Sequence, residues 1–434
     1  MVQFYKAKRP VKKTPPAFEC EVSALDHRLL GVVHHQQATY FTPDVLPTER
    51  IRVQLMGKHQ AKLVQLLQSH PHRIQPACRF YHQCGGCQGQ ILSSTHQLQY
   101  KAEQVSLLIT QLSGYTSLPE PTLITGPAWH YRRAARLATW FVPNLGWQLG
   151  FRQEKSKQVV TVDNCLVLSE VLNPLLAPLS QLLKRFPKSL RVGHVELYDC
   201  LPMPTIRLRV GATLSQAQRQ ACIDLAQVHQ VSFLLSDDQT EQWLHGDSCY
   251  YMLDGGLKLA FIPGDFIQVN AALNQKMVNL ALDWLDPNDD ERILDLFSGV
   301  GNFTLPIAKR AKEVVAIEGV EAMTQRLSAN AALNHCFNVT ALSGDLNDRQ
   351  TLAGWLDGID KVLLDPARAG AKTALESVAK ARPKAVVYIA CDPATMARDI
   401  ALLRVKGYQL QRWALIDMFS QTSHIETAVL LTAT

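Results

Sequence analysis

The stretch VVYIACDPAT, Val386 to Thr395, places a cysteine just where a buried strand ends. Val386 to Ile389 are apolar and rich in β-branched residues, whereas Asp392 and Pro393 cannot continue a strand. An inert core cysteine belongs inside the strand; Cys391 stands at its rim, where a thiolate can act as a nucleophile. Of the ten cysteines, Cys20, Cys200, Cys222, Cys249 and Cys336 are scattered singly and read as small core hydrophobes. Cys78, Cys84 and Cys87 follow the spacing C-x5-C-x2-C, and Cys165 comes 78 residues after Cys87. Gly85 and Gly86 allow the tight loop that several thiolates on one metal require. Four thiolates suit zinc or an iron–sulfur cluster; spacing alone does not choose between them, and the residues unaided lean to zinc.

A second set of residues would face a nucleoside-like ligand. The runs ERILDLF, EVVAIE, KVLLD and KAVVYIA are short and apolar, with helical segments between them, which predicts a parallel doubly wound sheet. HIETAVLLTAT supplies a final strand, expected antiparallel. Such sheets bind ligands beyond the carboxyl ends of their strands. Asp295 closes the first strand, and Gly299 and Gly301 open the turn after it. Glu318 ends the second strand, where an acid meets a ribose; Asp345 and Asp365 follow the third and fourth. Thr304 stands where a dinucleotide fingerprint needs glycine or alanine, so S-adenosylmethionine fits better than NAD. Each acid could instead be a helix cap, but four at successive strand ends make independent caps a poor account.

A cysteine beside a methyl donor suggests one reaction. Carbon 5 of uracil is too weak a nucleophile to accept a methyl group unaided. Thiolate addition at carbon 6 makes the ring an enolate, and a base must later remove the carbon 5 proton so that the thiol can leave. Glu426, in SHIET, is the candidate base, although by spacing alone it reads as an exposed strand residue.

The motifs DFIQVN, DLFSGVGNFTLP, LLDPARAG, ACDPATMARD and DMFSQTSHIE together resemble the RNA uracil-5-methyltransferase family, over nearly the whole chain. The DPARAG form and the four cysteines resemble its branch acting on 23S ribosomal RNA. The resemblance implies Cys391 as nucleophile, Glu426 as base, and cofactor contacts from Gln268, Phe297, Asn302, Glu318, Asp345 and Asp365. It implies a [4Fe–4S] cluster on Cys78, Cys84, Cys87 and Cys165. The alternatives are a tRNA uracil-5-methyltransferase and a non-catalytic iron–sulfur RNA-binding protein. The family usually has asparagine after the nucleophile; Asp392 here should raise the thiol pKa by like-charge repulsion.

The elements that must position these residues divide the chain. Residues 1–17 form a basic arm with Lys6, Lys8, Arg9, Lys12 and Lys13. Residues 18–70 carry short β-like runs expected to form an OB-like barrel, similar to a TRAM domain. Residues 71–92 and 123–262 form a central α+β iron–sulfur domain, and residues 93–122 and 263–434 the α/β, Rossmann-like methyltransferase domain. The helix near Gln97 to Leu112 is expected to pack on the catalytic part. In HYRRAARL, Arg132, Arg133 and Arg136 beside Trp129 and Tyr131 read equally as an RNA-binding patch or a solvated helix face. The net charge of +6 permits an anionic partner. The start lacks a secretory pattern and no apolar run approaches the roughly 18 residues of a membrane helix, so a cytoplasmic monomer without an obligate protein partner is expected.

Overall fold

The computed structural model describes residues 16–154, 156–237 and 240–434. Most of the basic arm, including Lys6, Lys8, Arg9, Lys12 and Lys13, lies outside the described residues. Among the described residues the strands form four sheets. The first has six strands between Phe18 and Gln68, closed around Val22, Val33, Val45, Ile51, Val53 and Ala61. Its strands alternate between buried and exposed positions, as one-sided packing requires. The second has seven strands between Ala134 and His245. Leu137, Leu149, Val195, Ile206 and Phe233 of this sheet pack with Leu179 and Leu183 of one helix and Cys222 and Ala226 of another. A two-stranded hairpin, Cys249–Leu253 with Leu257–Phe261, leads into the last third.

The fourth sheet carries the predicted chemistry. Its strands are β1 (Thr122–Ile124), β2 (Arg292–Leu296), β3 (Glu313–Glu318), β4 (Val339–Ser343), β5 (Lys361–Leu364), β6 (Ala385–Ala390), β7 (Tyr408–Ile416) and β8 (Glu426–Ala433). They lie in the order β4-β3-β2-β5-β6-β8-β7-β1. Strands β2 to β6 run parallel, and β8 enters antiparallel between β6 and β7. The expected final antiparallel strand is therefore interior rather than at the edge. All six residues of β6 are buried, so it reads as a continuous apolar run instead of an alternating one.

Helix α1 (Ser94–Ser113) starts where the Ser93 hydroxyl accepts the His96 amide and stops at Gly114, whose φ of 80° is a left-handed cap. Leu98, Val105 and Ile109 form one apolar stripe, which joins Met396, Ile400 and Leu403 of α2 (Pro393–Val405) in a shared core. The helix thus lies on the catalytic sheet's side of the molecule, and β1, just after it, completes that sheet's edge. HYRRAARL is not a helix face: it leads into the strand Ala134–Val142.

Candidate active site

The first strand end is built for a close backbone approach. After β2 the chain turns through positive φ at Phe297 (63°), Gly299 (57°) and Gly301 (104°). For Phe297 that conformation is strained, and two amides hold it: Phe297 N and Ser298 N both donate to Ile317 O, at 2.9 and 3.2 Å. Glu318 caps the turn from β3, its Oε2 accepting from Gly299 N at 3.0 Å and its Oε1 from Val320 N at 2.9 Å. Asn302 is bonded on both sides of its amide to Asn274, at 2.9 Å each way, and its oxygen also accepts from the Tyr251 hydroxyl. Asp295 lies at the foot of the turn, 1% exposed, with Oδ2 accepting from the Thr304 hydroxyl. Its Oδ1 has no partner among the described residues. Burial, and then Asp365 and Glu318, push its pKa up to about 7 against the Thr304 bond. Asp345 is exposed, and its Oδ1 accepts from Asn347 N at 2.8 Å, closing its own turn.

The reacting groups meet at the neighbouring strand ends. Cys391 follows β6 and is half-buried. Asp392 caps α2, its Oδ1 accepting from Thr395 N at 2.8 Å, with Pro393 at the first helical position. The expected rise in the Cys391 pKa is present, but its sources are different. Burial is the largest cause, followed by Glu426 and Asp365; Arg368 opposes them, and the thiol ends at about 11. Asp392 has turned toward its own helix. Glu426 opens β8 and is 2% exposed, so it is no surface residue. Its Oε1 has no partner among the described residues, and burial and then Asp365 raise its pKa well above the carboxylate range. Asp365 leaves an edge open to the crevice but is surrounded by protein at longer range; burial lifts it to about 7, against a 3.4 Å bond from Gln268 Nε2. It caps no helix, since the following helix begins at Lys372. Gln268, Asp365, Glu426 and Cys391 thus face one another across the crevice.

The four cysteines predicted as metal ligands are gathered but not closed on an ion. Among the described residues, no group of three or more His, Cys, Asp or Glu side chains is arranged to hold a metal ion. Yet Cys87 is pushed up to about 12, by burial first and then by Cys165, Cys84 and Cys78, against a bond from Gln90. The Gly86 amide donates to Cys84 Sγ at 3.4 Å, and Gln90 Oε1 accepts from the Cys78 amide at 3.0 Å. A Cβ on Gly85 would lie 2.9 Å from the Glu154 amide, so the loop takes glycine there.

The arginine patch divides. Arg133 is 6% exposed, its guanidinium lies 4.4 Å from the Tyr251 ring centroid, and its Nε donates to Gln268 O at 2.7 Å. It braces the Gln268 segment and is covered by protein. Arg132 Nε donates to Ala134 O, and Arg136 is paired with Glu196 at 2.8 Å while its side chain stays 64% exposed. A feature missed in the sequence is Lys101, which is buried in α1 and paired with Asp417 at 3.3 Å. The signal was present: Leu98, Lys101, Val105 and Ile109 fall at helical spacing, placing a lysine on the apolar stripe.

A parallel sheet with one inserted antiparallel strand, a glycine turn facing acids at strand ends, and a thiol beside buried carboxylates define an α/β methyltransferase. Residues 93–434 match the family described as tRNA (Uracil-5-)-methyltransferase. The chain is similar over 98% of its own length and 98% of the relative's to the 23S rRNA (uracil(1939)-C(5))-methyltransferase RlmD of Shewanella amazonensis, at 42% identity. Its likeness to the protein of that name from Shewanella frigidimarina is 41%, over 99% of both. A crystal structure of Pyrococcus abyssi tRNA (uracil-54, C5)-methyltransferase with S-adenosyl-L-homocysteine shares the fold, with a TM-score of 0.75 over 96% of this chain and all of that one, at 20% identity. The chain belongs to the uracil-5-methyltransferase family.

Proposed function

We propose that this chain transfers a methyl group from S-adenosylmethionine to carbon 5 of a uridine in 23S ribosomal RNA. The observation that carries the reading is the meeting of Cys391, Glu426 and Asp365, far apart in the chain, in one crevice where Glu426 and Asp365 raise the Cys391 pKa and Asp365 raises that of Glu426. Bound beside them, the cofactor supplies an electrophilic sulfonium methyl. Glu318 and the turn at Phe297 suit its ribose and amino-acid portions, with Gln268, Asn302, Asp345 and Asp365 completing the contacts; for Asn302, whose amide is already committed, the contact falls to its backbone.

Cys391, having released its proton to solvent, forms a bond from its thiolate to carbon 6 of the uracil, and the electron pair of the 5,6 double bond moves onto the ring carbonyl. Asp365, with a pKa near 7, is partly protonated at neutral pH and donates a hydrogen bond to that carbonyl. Carbon 5 takes the methyl group. Glu426 then removes the carbon 5 proton, the double bond reforms, and the thiolate leaves. Burial keeps Glu426 a stronger base than a solvated carboxylate.

The first sheet is read as the TRAM-like barrel and the second as the iron–sulfur domain, within the boundaries expected above. The four thiols fit a [4Fe–4S] cluster or a zinc ion alike, and it is the resemblance to the family's 23S ribosomal RNA branch that favours the cluster. Iron and acid-labile sulfide, assayed after anaerobic purification, should each approach about four per chain; zinc in their place would overturn this. Among the described residues no helix is long and apolar enough to cross a membrane, and a ribosomal RNA substrate supports a cytoplasmic location. The test of function is labelled S-adenosylmethionine offered with unmodified 23S rRNA or with tRNA. Label should enter one uridine of the 23S rRNA; label entering only tRNA would assign the chain the other substrate.

A further inference from the structure

The connection from β7 to β8, residues 417–425, runs directly into Glu426, and its ends face each other in register at Ile416 and Glu426. Most of it is buried, with Met418 0%, Ser420 1%, Gln421 4% and Thr422 4% exposed, while His424 reaches the surface. Gln421 holds a φ of 70°, a conformation most residues avoid. What fixes this segment comes from elsewhere in the chain. Gln421 O accepts from the amides of Gln88 and Gly89, both at 2.9 Å, immediately after Cys87. Gln97 of α1, 0% exposed, accepts from Gln421 N at 3.2 Å and donates to Gln421 Oε1 at 3.0 Å. The same Gln97 amide donates to Gly89 O at 2.9 Å and Leu92 O at 2.7 Å. Ser423 N donates to Gln88 Oε1, and the Tyr131 hydroxyl to Ser420 O.

Among the described residues Glu426 Oε1 has no hydrogen-bond partner, so the backbone ahead of it decides where that oxygen points. We propose that Gln97 and Gln421 are positioning residues for the general base: the cysteine-bearing loop and α1 set the geometry of proton removal from carbon 5. The inference rests on the catalytic reading above. Two glutamines that exchange bonds between main chain and side chain form a latch whose loss shifts Glu426 without changing any group that touches the substrate. A displacement of about 1 Å at a reacting group costs up to about 100-fold.

The experiment follows the covalent protein–RNA adduct on ordinary, unfluorinated 23S rRNA fragment with labelled S-adenosylmethionine, under denaturing conditions. Glu426→Gln is the reference: it should accumulate methyl-labelled adduct. If the reference accumulates none, the catalytic reading fails; the latch is judged only against an accumulating reference. Gln97→Leu should then accumulate adduct about tenfold above wild type, with KM for the RNA held within about twofold. Wild-type adduct levels in Gln97→Leu, or equal losses of adduct formation and release, would overturn the proposal. Should Gln97→Leu melt before assay, Gln421→Gly carries the test: it keeps the backbone bonds, tolerates φ of 70°, and removes only the side-chain half of the latch. It is expected to accumulate adduct in the same direction, and wild-type levels there overturn the proposal equally.

Discussion

Cys391→Ala should abolish methyl transfer, by about 10,000-fold or more, while RNA binding survives. The size follows from the chemistry: without addition at carbon 6, carbon 5 has too little electron density to offer a methyl donor. A second readout isolates the bond itself. RNA carrying 5-fluorouridine at the target should form a complex with the wild-type protein that survives denaturation, because fluorine replaces the proton that Glu426 must remove. The alanine variant should form none. The pH dependence has a defined sign. The thiol titrates at about 11, raised by burial, Glu426 and Asp365. The thiolate fraction of the free protein therefore grows about tenfold per pH unit below that value. Adduct formation should climb with pH up to about 7 and then level off, because above that value the protonated fraction of Asp365, the donor to the ring carbonyl, falls as the thiolate fraction rises. Trapping through a different residue, or trapping undiminished in the alanine variant, would sink the account of Cys391.

Glu426→Gln should stop the reaction one step later. Methyl transfer proceeds once, the carbon 5 proton stays, and Cys391 cannot be expelled. Turnover should fall by about 100- to 10,000-fold, with methylated RNA held on the protein. The substitution is nearly isosteric, and the fold should accept it. The Glu426 pKa is raised in the folded protein, so its favourable contribution to stability is complete below the unfolded carboxylate pKa and is lost as pH rises through the folded value. Glutamine carries no such cost. The melting temperature of the variant relative to wild type should therefore increase with pH. A variant that turns over normally would remove Glu426 from the mechanism, and one that fails even to form adduct would overturn its assignment as the base at carbon 5.

How much of this was legible depends on the range of the forces involved. Strand and helix periodicity is local, and it placed β2, β3, β5 and β6 within the runs that the sequence marks, each ending at an acid or at Cys391. The resemblance of the motifs supplied roles that spacing did not: Glu426 in isolation reads as an exposed strand residue, yet it is 2% exposed. The same limit explains the errors. Arg133 sits in a basic, aromatic stretch that suits RNA, but the hairpin carrying Tyr251 covers it. Asp392 was expected to burden the thiol, but a helix start turned its carboxylate to Thr395.

From its residues alone, this chain determined an α/β sheet, a thiol at a strand end, acids along the cofactor rim, and a four-cysteine set. Only the tertiary structure decided that β8 would lie inside the sheet, bringing Glu426 beside Cys391 and Asp365, and that Gln97 would meet Gln421 across 324 positions of sequence. Burial and the electrostatic shifts it causes depend on which distant segments close over a group, and no local pattern encodes that. The reactive character of this site is therefore a property of the packed chain, assembled from residues whose types the sequence had already set.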